Sequence, residues 1–218
     1  MGGFGLYVFL KAAQPNDKKG GAIVGGVYLR IKRGLDIFFS ALLLLFLLLP
    51  MGVIALLIIM DSPGGAVFRQ KRVGQGGRTF LCYKFRTMYP HAPASCPTSA
   101  FEDAARYVTP VGRFLRRSSL DELPQLWNVL RGDMSLVGPR PVIPEEGQIH
   151  ILRERCRVYR LRPGMTGLSQ ILGRDLLSDR EKARLDSRYA HTVSFHGDCR
   201  ILWRTLSRVW SGRGVISS

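Results

Sequence analysis

Ile37–Met60 reads IFFSALLLLFLLLPMGVIALLIIM, 24 residues without a charge. As a helix it would be about 36 Å long at 1.5 Å per residue, against a hydrocarbon core of roughly 30 Å. A helix in the core of a water-soluble protein normally keeps a polar stripe, and this run has none. The segment therefore reads as one that enters a membrane. It does not read as a cleaved leader: it starts after residue 30, is too long for the apolar part of a signal peptide and shows no small-residue cleavage site. Phe4–Leu10 is too short to span and has no basic residue before it.

Both ends of the run are basic, with Arg30, Lys32 and Arg33 before it and Arg69, Lys71 and Arg72 after it. Basic flanks stay on the cytoplasmic side, so two of them fit a helix that enters and leaves by one face. Pro50, near the middle, removes a backbone hydrogen bond and kinks the helix. A proline-broken, re-entrant helix-hairpin over 31–62 is the preferred reading, and an ordinary kinked transmembrane helix stays open beside it. Asp36, just inside the basic flank, reads as an interfacial carboxylate pairing with Lys32 or Arg33, or simply as a solvated charge.

On either side lie a flexible N-terminal arm, 1–30, with seven of the 24 glycines, and a domain over 63–218 that the basic flanks put on the cytosolic side. In that domain Val67–Val73 and Arg78–Phe85 are rich in β-formers, and Gly74-Gln75-Gly76-Gly77 between them signals a turn, which together make a β-hairpin. There is no GK[ST] or GxGxxG, so turn geometry accounts for these glycines better than phosphate cradling. Pro90–Ser99 reads as a loop, Glu102–Tyr107 as a short helical turn and Arg162–Gly167 as a loop. Glu145–Leu161 and Ser178–Tyr189 read as charged helices, and Ile201–Trp210 as an interfacial amphipathic helix. The fold class is α+β.

Lys and Arg number 32 against 16 Asp and Glu, a formal net charge of +16. Such an excess calls for anionic partners; the apolar run favours membrane lipids and phosphorylated molecules, and no helix-turn-helix, RNP or zinc-finger pattern points to nucleic acid. Cys82, Cys96, Cys156 and Cys199 form no CxxC pair, and His91, His150, His191 and His196 form no HExxH-type motif. The thiols read as reduced, with neither a disulfide frame nor a metal site.

Ser118–Pro141, SSLDELPQLWNVLRGDMSLVGPRP, carries the chemistry. Asp121 and Glu122 stand side by side, with Arg113, Arg116, Arg117, Arg131 and Arg140 around them in sequence. Ser119 and Glu122 match a capping box at the start of a helix, whose apolar face is Leu123, Leu126, Trp127 and Leu130. Pro124 disturbs that start, and if it delays the helix to itself the acid pair lies on the preceding turn. Carboxylates suit a first helical turn for the helix dipole alone, which favours a bland role on spacing. The functional alternative has one carboxylate as nucleophile or base and the other as a ligand of Mg²⁺, which takes one or two carboxylates plus phosphate oxygens and water. Most of the arginines suit a solvated or headgroup-facing surface, but Arg140 is fixed between Pro139 and Pro141 and suits a pyrophosphate clamp. Lys84 and Arg86, at the end of the hairpin, are weaker candidates.

These residues resemble the bacterial sugar transferases, the monotopic polyprenyl-phosphate phosphoglycosyl transferases. The likeness runs from Lys32 to about Gly214. It rests on Lys32-Arg33…Asp36, Gln70-Lys71-Arg72-Val73-Gly74, Lys84-Phe85-Arg86-Thr87-Met88, Leu120 to Pro141, Pro163-Gly164-Met165-Thr166-Gly167 and Gly173-Arg174. The pattern departs at Gly64-Gly65, where members commonly read Gly-Pro, and in a short stretch between Met88 and Thr109.

The resemblance implies transfer of a sugar phosphate from a UDP-sugar to undecaprenyl phosphate with release of UMP. It implies a proline-broken helix that re-enters the cytoplasmic leaflet of the bacterial inner membrane, with a helix-associated β-hairpin and amphipathic helices on the membrane. By match of the dyad, Asp121 is the nucleophile and Glu122 helps hold Mg²⁺, while Arg116 and Arg140 contact the phosphates of the donor. The chain looks like the minimal, exopolysaccharide-initiating type, with a lean to galactose or glucose from Cys82-Tyr83-Lys84 and Arg213-Gly214. A homo-oligomer is allowed but not required. The rival reading is a membrane-attached basic binder of anionic lipid or nucleic acid, which leaves the ordered acid pair and Pro-Arg-Pro without a purpose.

Overall fold

A computed structural model describes residues 26–92, 104–173 and 176–211. The apolar run folds as one helix, α1 (Gly26–Asp61), starting five residues inside the stretch read as an arm. The helical span runs on through Pro50, as a helix kinked at a proline also does. Proline deletes one N–H, and the neighbouring bonds carry the helix across it. Only Lys32, Asp36, Ser40 and Ile58 of α1 are buried, and the apolar side chains from Leu42 to Leu57 are exposed or half-buried. It is a helix long and apolar enough to cross a membrane, consistent with membrane association.

Both ends of α1 are tied to the rest of the chain by polar groups. Near its start, Lys32 Nζ lies 2.8 Å from Asp198, Tyr28 donates to the same carboxylate at 2.7 Å, and Asp36 accepts from Leu136 N at 3.0 Å. Arg33 donates to Val129 O and Leu130 O at 2.7 and 2.9 Å. Near its end, Ile58 packs with Phe85 and Leu115, and Arg86 donates to the carbonyls of Ile58, Ser62 and Pro63. Ile58 O lies in the last turn of α1 and the other two carbonyls just after it, so Arg86 pins the end of the helix.

The expected hairpin is present: β1 (Val67–Val73) and β2 (Thr79–Phe85) pair antiparallel with Gln70 opposite Cys82. A bridge between Met88 and Val108 leads to α2 (Pro110–Ser118), whose start is capped by Thr109 accepting from Gly112 N. After a 3-10 turn at Leu120–Glu122 comes α3 (Gln125–Arg131). Strand β3 (Ser135–Val137) pairs in parallel with β4 (Gly164–Thr166), so part of the stretch read as a loop is a short strand. A Cβ on Gly164 would sit 2.0 Å from Gly138 N, an approach open only to glycine. Helices α4 (Gly147–Arg155), α5 (Leu168–Leu172), α6 (Asp179–His191) and α7 (Phe195–Ser211) complete the order. A capping box of Ser178 with Glu181 opens α6. Arg153 of α4 and Asp186 of α6 form a buried ion pair at 2.6 Å. Most of Pro90–Ser99, Cys96, Glu102 and Arg213-Gly214 lie outside the described residues; Cys82, Cys156 and Cys199 are free thiols.

Candidate active site

Strand alternation sets the floor of the site. Lys84 and Cys82 share a face of β2, and their cross-strand partners Phe68 and Gln70 put Arg72 of β1 on that face too. Helix α3 is locked against β2 by Asn128, fully buried: its Oδ1 accepts from Tyr83 N at 3.0 Å and its Nδ2 donates to Leu81 O at 2.7 Å. One carboxamide thus completes the outer edge of the strand and fixes the distance between Lys84 and the acid pair.

Ser119 does not cap a helix start. It has φ 58°, makes no side-chain capping bond and closes the C-terminus of α2. The helix that follows starts at Gln125, after Pro124, so the acid pair lies on the intervening 3-10 turn, as the proline allowed. The two carboxylates have different surroundings. Glu122 is held by Lys84 at 3.0 Å and Arg140 at 3.7 Å. Asp121 is pushed up to about 6: burial dominates, Glu122 adds to it, and Lys84, Arg116 and Arg140 oppose it. At pH 7 Asp121 is then mostly ionised and is a better base and nucleophile than an ordinary carboxylate.

Arg116 projects from α2 and donates to Thr87 Oγ1 at 2.9 Å, which leaves the rest of its guanidinium beside Asp121. Arg140 is held through its backbone neighbours: Pro139 O accepts from Gly164 N at 2.8 Å, Pro141 O from Arg72 at 3.1 Å, and Arg140 O itself from buried Arg153 at 2.8 Å. The structure therefore brings together Asp121, Glu122, Lys84, Arg116 and Arg140. It does not bring Arg86 to them: that guanidinium donates to Ile58 O, Ser62 O and Pro63 O around the end of α1.

A cleft of about 240 Å³ opens beside the pair, lined by Arg72, Cys82, Lys84, Glu122, Gln125, Arg140, Pro141, Gly164, Met165 and Gln170. Arg72, Gln125 and Gln170 were missed as site residues, although Arg72 and Gln125 stand inside the motifs quoted above. A larger cleft, about 430 Å³, is lined by Lys32, Arg33, Asp36, Arg160 and Arg162 and touches neither acid. Among the described residues no three His, Cys, Asp or Glu converge on one point. Asp121 and Glu122 offer hard oxygen donors beside a cationic wall, and that donor set fits Mg²⁺ completed by phosphate oxygens and water.

Residues 27–212 match the family model described as "Bacterial sugar transferase". The chain is 38% identical over 208 residues to "Exopolysaccharide production protein ExoY" of Sinorhizobium fredii, covering 88% of this chain and 89% of that protein. It is 42% identical over 184 residues to the "UDP-glucose:undecaprenyl-phosphate glucose-1-phosphate transferase" of Caulobacter vibrioides, covering 80% and 68%. With the "Undecaprenyl-phosphate galactose phosphotransferase" of Salmonella typhimurium the identity is 36% over 190 residues, 80% of this chain and 39% of that protein. The paired acids, the cationic wall and the apolar helix all fall within the matched residues, and the chain belongs to the bacterial sugar transferase family.

Proposed function

We propose that the protein transfers a sugar 1-phosphate from a UDP-sugar to undecaprenyl phosphate, releasing UMP, as the first membrane step of exopolysaccharide synthesis. The chain is an enzyme, a phosphoglycosyl transferase, by its family and by relatives named for that reaction. The observation that carries the mechanism is a half-buried carboxylate, Asp121, next to Glu122 and flanked by the cations Lys84, Arg116 and Arg140.

In the first step an Asp121 oxygen attacks the phosphorus that bears the sugar. A carboxylate–phosphorus bond forms, the bond to the bridging oxygen breaks, and UMP leaves with that electron pair. In the second step a phosphate oxygen of undecaprenyl phosphate attacks the same phosphorus, and Asp121 leaves as the carboxylate. Lys84 and Arg140 hold Glu122 and the diphosphate in register, and Arg116, steadied by Thr87, faces the charge that builds on phosphoryl oxygens. Mg²⁺, held by Asp121 and Glu122, would offset negative charge on the diphosphate and leaving group.

A re-entrant α1, with the polar domain on the cytoplasmic face of the inner membrane, supports this chemistry because the acceptor phosphate lies at headgroup level. A straight helix would part Arg33 and Ile58 by about 37 Å. Yet β2, only seven residues long, bonds through Tyr83 to α3, whose Val129 O receives Arg33, and packs through Phe85 on Ile58. That closeness favours a helix bent at Pro50, with both ends on one side. Phe195, Leu202, Trp203 and Leu206, exposed along α7, extend the contact with lipid.

The test is nucleotide release. Protein in nanodiscs receives undecaprenyl phosphate, Mg²⁺ and a panel of UDP-sugars, with UMP and UDP quantified. UMP with one donor supports the reading and names the sugar, which relatives called glucose and galactose carriers leave between two hexoses. UDP in place of UMP, or no turnover by folded protein, refutes it. The basic-binder reading is not favoured.

A further inference from the structure

We propose that Gln125 and Gln170 form the neutral wall of the donor site, with the Gln125 carboxamide binding the uncharged part of the nucleotide sugar. The inference rests on the donor reading above and goes further into the same cleft. Arg72, Lys84 and Arg140 suit the diphosphate, but a nucleotide sugar also carries a base imide and several hydroxyls. Among the side chains lining the cleft, Gln125 and Gln170 are the two with neutral amides.

Both are nine-tenths buried, Gln125 at 3% and Gln170 at 6% exposure. The Gln125 amide opens on the cleft rather than being sealed in the interior. A polar atom sealed in the interior without a partner destabilises the fold, and such atoms are nearly always paired. Gln170 is half-paired: its Nε2 donates to Met165 O at 2.8 Å, while its Oε1 is buried without a partner. A carbonyl can only accept, so that bond fixes the amide orientation and leaves Oε1 as the free acceptor. Phosphate oxygens at neutral pH chiefly accept and do not serve a free acceptor. The missing partner has to carry a hydrogen, which means the imide N–H of the base or a sugar hydroxyl.

Sequence position puts the wall beside the reaction. Gln125 opens α3, three residues after Glu122, on the same side of the helical path. Gln170 arrives from α5 and lines the same cleft with Gly164 and Met165.

The experiment compares the full chain and Gln125→Met in nanodiscs, reading UMP release for KM and kcat and inhibition by UMP and by the hexose 1-phosphate. Methionine keeps the length and volume without the amide. The donor KM is expected to rise about three- to tenfold, the worth of one neutral hydrogen bond, with kcat nearly constant and thermal stability equal or higher. Weaker inhibition by UMP alone assigns Gln125 to the base; weaker inhibition by the sugar phosphate alone assigns it to the sugar. Gln125→Glu, which sets an anion against the diphosphate, should raise KM further. Unchanged KM and inhibition for both variants overturn the inference while leaving the donor reading intact. A wild-type chain that uses no UDP-sugar removes both.

Discussion

Asp121→Asn separates the chemical role of this residue from its structural cost. Raising a carboxyl from 3.8 to about 6 means that ionising Asp121 in the folded protein costs about 3 kcal/mol more than in the unfolded chain. The folded state holds the extra proton between about pH 4 and 6, so stability falls as pH rises through that window and stays lower above it. Asparagine keeps the shape and removes the charge. The variant should therefore be more stable at pH 7.5 by about 1–3 kcal/mol, the lower figure allowing for relaxation of Lys84, Arg116 and Glu122. For a chain of this size that is roughly 3–10 °C in Tm. The assay is thermal unfolding in detergent with EDTA, at pH 7.5 and 4.5, alongside UMP release. UMP release should vanish, and the stability gain should shrink at pH 4.5, where the wild-type carboxyl is already protonated. A variant no more stable than wild type at pH 7.5, or one with the same gain at both pH values, would refute the electrostatic argument. Substantial UMP release would refute the nucleophile.

The rate of UMP release should halve near pH 6 and fall about tenfold per pH unit below it, because only ionised Asp121 attacks; a limb near pH 4 would mean that burial does not govern this group. Arg153→Ala should lower stability by about 3–5 kcal/mol, since it strands Asp186 in an interior where the pair is 2% and 1% exposed. It should also raise the donor KM, because the lost guanidinium holds Arg140 O; normal KM in folded protein would detach Arg140 from that support.

The parts legible in the sequence were those written in local pattern. Twenty-four uncharged residues, a period-two hairpin around Gly74–Gly77 and a rigid Pro-Arg-Pro each dictate their own geometry. What failed was local pattern with two possible owners. Ser119 carries a start signal, but α2 ends there and claims it in the left-handed conformation. Arg86 follows Lys84 by two, which in a continuing strand would share its face; the strand ends at Phe85, and the carbonyls of Ile58, Ser62 and Pro63 take the guanidinium. Gly26–Arg30 looks like arm by its composition, and its helix is fixed by Tyr28 reaching Asp198, 170 residues away. Gln125 was hidden for the same reason: its surroundings come from β1, β2 and β4, which no window around it contains.

The joint of Tyr28, Lys32 and Asp198 has a consequence for biosynthesis. Lys32 and its carboxylate are 166 residues apart. At about 5–20 residues per second, roughly 10–30 s separate their synthesis. Through that interval the apolar helix is already made, while the acceptor that anchors its first turns does not exist. The helix therefore has to hold its place before the domain can close around it, and a ribosome that stops short of Asp198 leaves α1 and α7 unjoined.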